Sequence, residues 1–125
     1  MVNLGGLAMF GVTPSRVVYV HRSAIDFRKN INGLAALVEQ ELKLDPFADA
    51  CFVFRNQRAD KVKILFWQRN GFWLCQKRLE QDRFVWPKAD TALLTLSIQQ
   101  LQWLLDGVDL AAMKGHCERS YCRAS

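Results

Sequence analysis

Two kinds of apolar pattern alternate along the chain. Arg16 to His21, RVVYVH, is a β-branched and aromatic run of strand type. Ser23 and Asp26 then form an S-x-x-D capping pattern. It precedes a stripe at helical spacing: Ile31, Leu34, Ala35, Leu37, Val38 and Leu42. This predicts a helix running to about Leu44 and stopping before Pro46, because a proline ring disfavours helix in the residue before it. Gly33 lies inside that stretch. It either costs up to about 1 kcal/mol against alanine or marks a short first turn, with the main helix starting later.

The next three runs are strand candidates: Cys51 to Phe54, Val62 to Trp67, and Phe72 to Leu79. Asn70-Gly71 joins the last two, and both residue types tolerate the positive φ of a type I′ turn. A hairpin turned at Asn70-Gly71 is therefore expected. RFVWP follows, with Trp86 extended ahead of Pro87. Leu93 to Leu96 reads as a last short strand. Ser97 with Gln100 is a second capping box, opening a helix with Ile98, Leu101, Leu104 and Leu105 on one side. Gly107 suits the position just past its end.

The order is strand, helix, three or four antiparallel strands, helix. The expected fold class is α+β, a mainly antiparallel sheet with a central hairpin (Val62 to Leu79) packed by two helices. One domain is expected over residues 1–110. Residues 1–11 hold three glycines and read as a loose extension, and residues 111–125 as an irregular tail. Side-chain alternation sorts the hairpin into faces. With a two- or four-residue loop, Val62, Ile64 and Phe66 share a face with Trp73, Cys75 and Lys77. Lys63, Leu65 and Trp67 then share the other with Phe72, Leu74, Gln76 and Arg78. A three-residue loop would swap the second strand. The first face is richer in plain hydrophobes and should meet a helix. The mixed face packs on the second helix or a second subunit, or offers an aromatic platform for bases. Packing is favoured, because large aromatics are first of all core residues.

Composition changes little of this picture. The chain has 125 residues, 50% of them hydrophobic and 23% charged, which excludes disorder of the whole chain. No apolar stretch approaches the roughly 18–20 residues of a membrane helix. No basic region precedes the weak apolar run at the N-terminus, so it does not read as a secretory signal, and a cytoplasmic location is expected. Met9 is a candidate native start. Charge adds more. The net charge is +5, and Ala50 to Lys88 carries nine cations against three acids, a local +6 that leaves −1 for the rest. Such a segment points to an anionic partner, nucleic acid first, or else to a solubilising rim on strand edges.

Chemistry is sparse. There is no Gly-rich phosphate loop, no G-x-S-x-G and no H-E-x-x-H. His21 and Asp26 are spaced for a His–Asp pair, but no nucleophile stands beside them. Asp26 is better read as an acid at a helix N-terminus. Cys51 and Cys75 sit in apolar runs as small core residues. His116, Cys117 and Cys122 lack paired metal-ligand spacing. No catalytic residue, metal site or cofactor is expected.

Several strings, taken together, resemble a known family. YVHRSAIDFRKNINGLAALVEQEL, then DPF, then CFVFRNQRADKVKILFWQRNGFWLCQKRLEQDRFVWP is similar to the accessory protein usually labelled TnpB in bacterial insertion sequences of family sixty-six. It is not the RNA-guided nuclease that shares that label. The similarity spans about Met9 to Asp109. Its most specific pieces are Asp26-Phe27-Arg28-Lys29 with Gly33-Leu34, FVFR with DKVKIL, KRLE, and RF-x-WP. Family members often have Met where Phe27 stands and Gly-Phe-Asp where Asn30-Ile31-Asn32 stand. The tail after Leu110 shows no match. The resemblance implies an accessory role in transposition, with the catalytic transposase a separate protein. The expected partners are DNA at the element's ends and the transposase, with a homodimer allowed by the two-sided hairpin and no membrane. Candidate nucleic-acid contacts are Arg55, Arg58, Lys61, Lys63, Arg69, Lys77 and Arg78, with Arg28 and Lys29. The alternative is a protein-interaction adaptor whose cations face an acidic partner.

Overall fold

A computed structural model describes residues 12–112. Five strands form one sheet: β1 (Val17–His21), β2 (Ala50–Arg55), β3 (Lys61–Gln68), β4 (Gly71–Arg78) and β5 (Leu93–Leu96), in the spatial order β4-β3-β2-β1-β5. Among the described residues two longer helical elements accompany them. The first is α1 (Ile31–Ala36), continued by a π-helical turn (Leu37–Glu41); the second is α2 (Ile98–Leu105). The α+β class is as expected. One pair differs from a plain meander: β1 and β2 run parallel, Tyr19 opposite Phe52, with α1 in the crossover. The other three pairs are antiparallel.

The sheet is covered on both faces. Val18, Val20, Cys51, Val53, Val62, Ile64 and Phe66 pack with Ile98, Leu101, Leu104 and Leu105 of α2. Ala50, Phe52, Phe54 and Leu65 pack on the other side with Leu34, Leu37 and Val38. This explains why β2 is buried without alternation from Ala50 to Phe54, as strands covered on both sides are. It also corrects one expectation. The mixed hairpin face packs under the first helix, not the second. Trp67 and Phe72 contact each other edge-on at 5.1 Å, and Phe47 closes over both at 4.9 and 5.3 Å.

The hairpin keeps the expected faces, but its turn lies one residue earlier. Gln68 pairs with Gly71 and Trp67 with Phe72, so Arg69 and Asn70 are the central residues. Arg69 has φ 57°, while Gly71 sits in the strand. A turn centred on Asn70-Gly71 would pair Arg69 with Phe72 and break the Trp67–Phe72 contact.

The two capping patterns behave differently. Ser97 Oγ accepts from Gln100 N and Gln100 Oε1 accepts from Ser97 N, closing a capping box on α2, and Gly107 follows with φ 85°. Asp26 caps nothing. Its carboxylate accepts from Arg28 N and holds the Arg28 guanidinium at 2.7 Å. The carbonyls of Phe27 and Lys29, which a helix begun at Asp26 would direct to Ile31 and Gly33, accept from Lys63 Nζ, each at 2.8 Å. The helix therefore starts at Ile31, with Asn30 as an N-cap that makes no side-chain hydrogen bond to the helix. Gly33 lies inside α1, where a Cβ would come 3.3 Å from Lys29 Cβ. The glycine lets the preceding turn lie close. The helix ends through the π turn, with Leu42 N donating to Leu37 O at 3.1 Å, short of the expected Leu44.

RFVWP joins no strand pair. Phe84 is buried in the α2-side core, and Trp86 Nε1 donates to His21 O at 2.9 Å. Residues 110–112 are helical, where the tail was expected to be irregular from 111. The His116, Cys117 and Cys122 tail lies outside the described residues.

Candidate nucleic-acid interface

Strand direction decides where the charges go. β1 and β2 are parallel and end on the same side, at His21 and Arg55. β3, β4 and β5 pair antiparallel in such a way that Lys61, Arg78 and Leu93 come to that side too. Five strand ends thus form one rim. Four inter-strand gaps of about 4.8 Å make it roughly 19 Å wide.

Cations dominate this rim. Arg22 directly follows β1, Arg55 ends β2, Lys61 opens β3, and Arg78 ends β4 opposite Lys61. Arg58 sits on the β2–β3 turn. That turn is fixed by Asn56, whose Oδ1 accepts from Asp60 N and Lys61 N and whose Nδ2 donates to Asp60 Oδ1 at 2.6 Å. The Asn56 hydrogen bond holds the Asp60 carboxyl below its ordinary pKa, so the turn keeps one fixed negative charge. Arg58 is exposed, and neither its guanidinium nor the Lys61 ammonium makes a hydrogen bond among the described residues. Arg28 and Lys29 lie on the α1 side of the sheet, nearer the middle of β4 than its rim end. They line a recess with Asn30, Ile31, Gly33 and Leu74. The end of α2 brings Asp106 to the other layer at this end of the sheet. The basic character thus belongs to the rim and the α1 side.

The nine candidate residues separate into three groups. Arg58, Lys61 and Lys29 are open to solvent or half-open, and their side chains make no hydrogen bond or close ion pair among the described residues. Arg78 and Arg55, on the rim, and Arg28, on the α1 side, are partly committed. Arg28 pairs with Asp26 at 2.7 Å and Arg78 with Glu80 at 3.0 Å. Arg55 donates to Arg22 O at 3.3 and 3.2 Å and lies 5.9 Å from the Trp86 ring centre. The remaining three stand apart. Lys63 is only 4% exposed. Its ammonium is bound by Phe27 O, Lys29 O and Asn30 Oδ1, over the Phe27 ring at 4.7 Å. Burial lowers its pKa from the ordinary lysine value, and the carbonyls keep the charged form solvated. Lys77 donates to Leu105 O at 2.7 Å, on the last turn of α2, where a cation meets the negative end of the helix. Arg69 sits on the hairpin turn at the opposite end of the sheet. The fold does not bring these three candidate residues together with the rim cations.

Sequence reasoning missed Arg22, and it assigned Lys88 to the charged segment without a role. Arg22 and Lys88 line a second recess with Arg55, Trp86, Pro87, Ala89 and Asp90. Only the parallel β1–β2 register reveals that Arg22 lies beside Arg55, 33 positions away.

The possible catalytic elements are used structurally. His21 Nδ1 lies 2.7 Å from Ser23 O and the ring tilts against Phe54, while Asp26 is taken by Arg28, so no His–Asp pair forms. Burial pushes the Cys51 thiol up to about 12 and raises that of Cys75, which leaves both as poor nucleophiles at neutral pH. Among the described residues no three His, Cys, Asp or Glu side chains gather to hold a metal ion. None of the described helices is long and apolar enough to cross a membrane.

Comparison with known proteins now adds to this geometry. A family model described as IS66 Orf2 like protein matches residues 16–115. The chain belongs to that family. The match runs past Leu110, so the first residues of the tail fall within the IS66 Orf2-like pattern. Two similar relatives come from Sinorhizobium fredii (strain NBRC 101917 / NGR234). Uncharacterized protein y4jC is 33% identical over 106 residues, covering 85% of this chain and 91% of the relative. Uncharacterized protein y4hO is 36% identical over 92 residues, covering 74% and 80%. No solved structure matches. An IS66 Orf2-like protein is an accessory component of an insertion sequence.

Proposed function

We propose that this protein is a non-catalytic accessory factor in transposition of its insertion element, acting in the cytoplasm, and that it binds element DNA through the basic rim. The observation that carries this reading is the convergence of Arg22, Arg55, Arg58, Lys61 and Arg78 from separate strand ends onto one side of the sheet. At about 3.4 Å of helix axis per phosphate of one strand, a rim of roughly 19 Å spans the rise of about five or six phosphates, of which it meets those on the near side. Contacts of this kind set position and affinity without reading sequence. The transposase is the expected protein partner.

A gel shift with the element's terminal repeat and a scrambled duplex, at two salt concentrations, tests it. Both duplexes are expected to bind at low salt and to release steeply as salt rises. Arg58→Gln with Lys61→Gln should weaken binding and reduce the salt slope by about 0.9 for each phosphate no longer neutralised. Absence of binding to either duplex at low salt would end the DNA reading. The adaptor reading draws on the other end of the hairpin, where Trp73 is 42% exposed on β4, an outer strand. That edge is where the transposase or a second copy would add a strand. An adaptor holds the transposase with no DNA present, and pull-down from nuclease-treated extract separates the two readings.

A further inference from the structure

The recess between β1, β2 and the segment 86–90 has a makeup unlike the rest of the rim. Arg22, Arg55 and Lys88 line it together with Trp86, Pro87, Ala89 and Asp90, in a space of about 520 Å³. Part of it is held in place by hydrogen bonds within the protein. Arg55 Nε and Nη2 donate to Arg22 O. Arg22 N donates to Ala92 O at 2.9 Å, and Arg22 Nη1 reaches Ala89 O and Asp90 O at 3.5 and 3.4 Å. Trp86 forms one wall, fixed by its bond to His21 O and by the Arg55 guanidinium over its ring. Three cations therefore converge, and Asp90 is the only acid among the lining residues. Asp90 makes no ion pair with any of them, and its backbone carbonyl is what Arg22 touches. Two donors remain free to turn inward: the far side of the Arg22 guanidinium and the Lys88 ammonium. Arg55 contributes charge and position, because its nitrogens already face carbonyls.

We infer that this recess binds a single phosphate group of a nucleic-acid strand, with Arg22 and Lys88 donating to its oxygens and Arg55 holding Arg22 in place. A tetrahedral anion with several acceptor oxygens matches donors arriving from two sides, where a planar carboxylate would engage one Arg fork. The rim leads to the recess, so a strand tracking Lys61 and Arg58 would deliver a phosphate there. The inference rests on the DNA reading for the source of the phosphate. The anion chemistry stands without it.

The test is nuclear magnetic resonance on the full chain, following the Trp86 indole N–H, assigned by its loss in Trp86→Phe. Three probes are used: inorganic phosphate, a short 5′-phosphorylated single strand, and the same strand without the terminal phosphate. The Trp86 signal should move with inorganic phosphate and with both strands. Arg22→Gln with Lys88→Gln should weaken each at least tenfold while the Trp67 and Trp73 signals stay in place. Arg69→Gln, at the other end of the sheet, should change nothing. A Trp86 signal that stays still with every probe, while duplex binding still depends on Arg58 and Lys61, overturns the recess and leaves the proposed function standing. Movement unaffected by the double variant overturns it too. Movement with inorganic phosphate alone, with neither strand bound, overturns the nucleic-acid source, while the duplex gel shift decides the proposed function separately.

Discussion

Lys63 shows how a residue's charge and its role can part. Its ammonium is the shared partner of two backbone carbonyls and the Asn30 side chain. Removing it leaves the Phe27 and Lys29 carbonyls without that donor. Lys63→Met should therefore lower stability by about 2–3 kcal/mol, read from urea unfolding. DNA affinity per folded molecule should stay at the wild-type value, the opposite of what a phosphate contact would give. Asp26 makes a second residue-scale prediction. Arg28 lowers its pKa from 3.8 to about 2 in the folded chain, chiefly through the side-chain hydrogen bond. A carboxyl with a depressed folded pKa stabilises the fold above its unfolded value and loses that contribution as pH falls through the folded one. The stability gap between wild type and Asp26→Asn should thus be open at pH 5 and close as pH falls from about 4 to about 2. Thermal melts across that range check it, and added salt should narrow the gap because the pair is exposed.

At the scale of elements, the same signature had two outcomes. Ser97 and Gln100 form the box that the sequence promised, and Ser97→Ala should cost about 1 kcal/mol, measured by thermal or urea unfolding. Ser23 and Asp26 carry a similar pattern and start no helix. What decides is Arg28, two positions on, and Lys63, far along the chain, which claim the carboxylate and the carbonyls a helix would need. Neither claim is visible locally. The hairpin gives the same lesson. Its faces were legible because alternation survives any even loop, whereas the turn residues depend on pairing Trp67 with Phe72 under Phe47. That register puts Arg69 in a left-handed backbone. Arg69→Gly should stabilise the protein by about 1 kcal/mol, and its DNA affinity should not change, because Arg69 lies away from the rim.

For the molecule as a whole, the strands were readable from their composition, and their order in the sheet was not. The parallel β1–β2 pair is set by α1 packing across the sheet, a tertiary fact with no mark in either strand. Because the order was hidden, so was the rim. Counting charges along the chain puts Lys63, Lys77 and Arg69 beside Arg58 and Lys61, and omits Arg22 altogether. The fold then sorts them, sending one cation under a helix, one to a helix end, and one to the far turn. Charge reversal at exposed Arg58 should accordingly leave stability within about 0.5 kcal/mol and weaken DNA binding, a pairing of results that circular dichroism and gel shift can read on one sample.

β1 is the first strand among the described residues, yet Tyr19 meets its second neighbour only at Thr95. At about 5–20 residues per second of synthesis, the ribosome takes roughly 4–15 s to supply that partner. Through that interval β1 has one side of its backbone unpaired, and α2, which covers the same core, has not yet been made. Until β5 and α2 emerge, the growing chain carries an open strand edge and an uncovered apolar face, the features that make incomplete chains prone to aggregate.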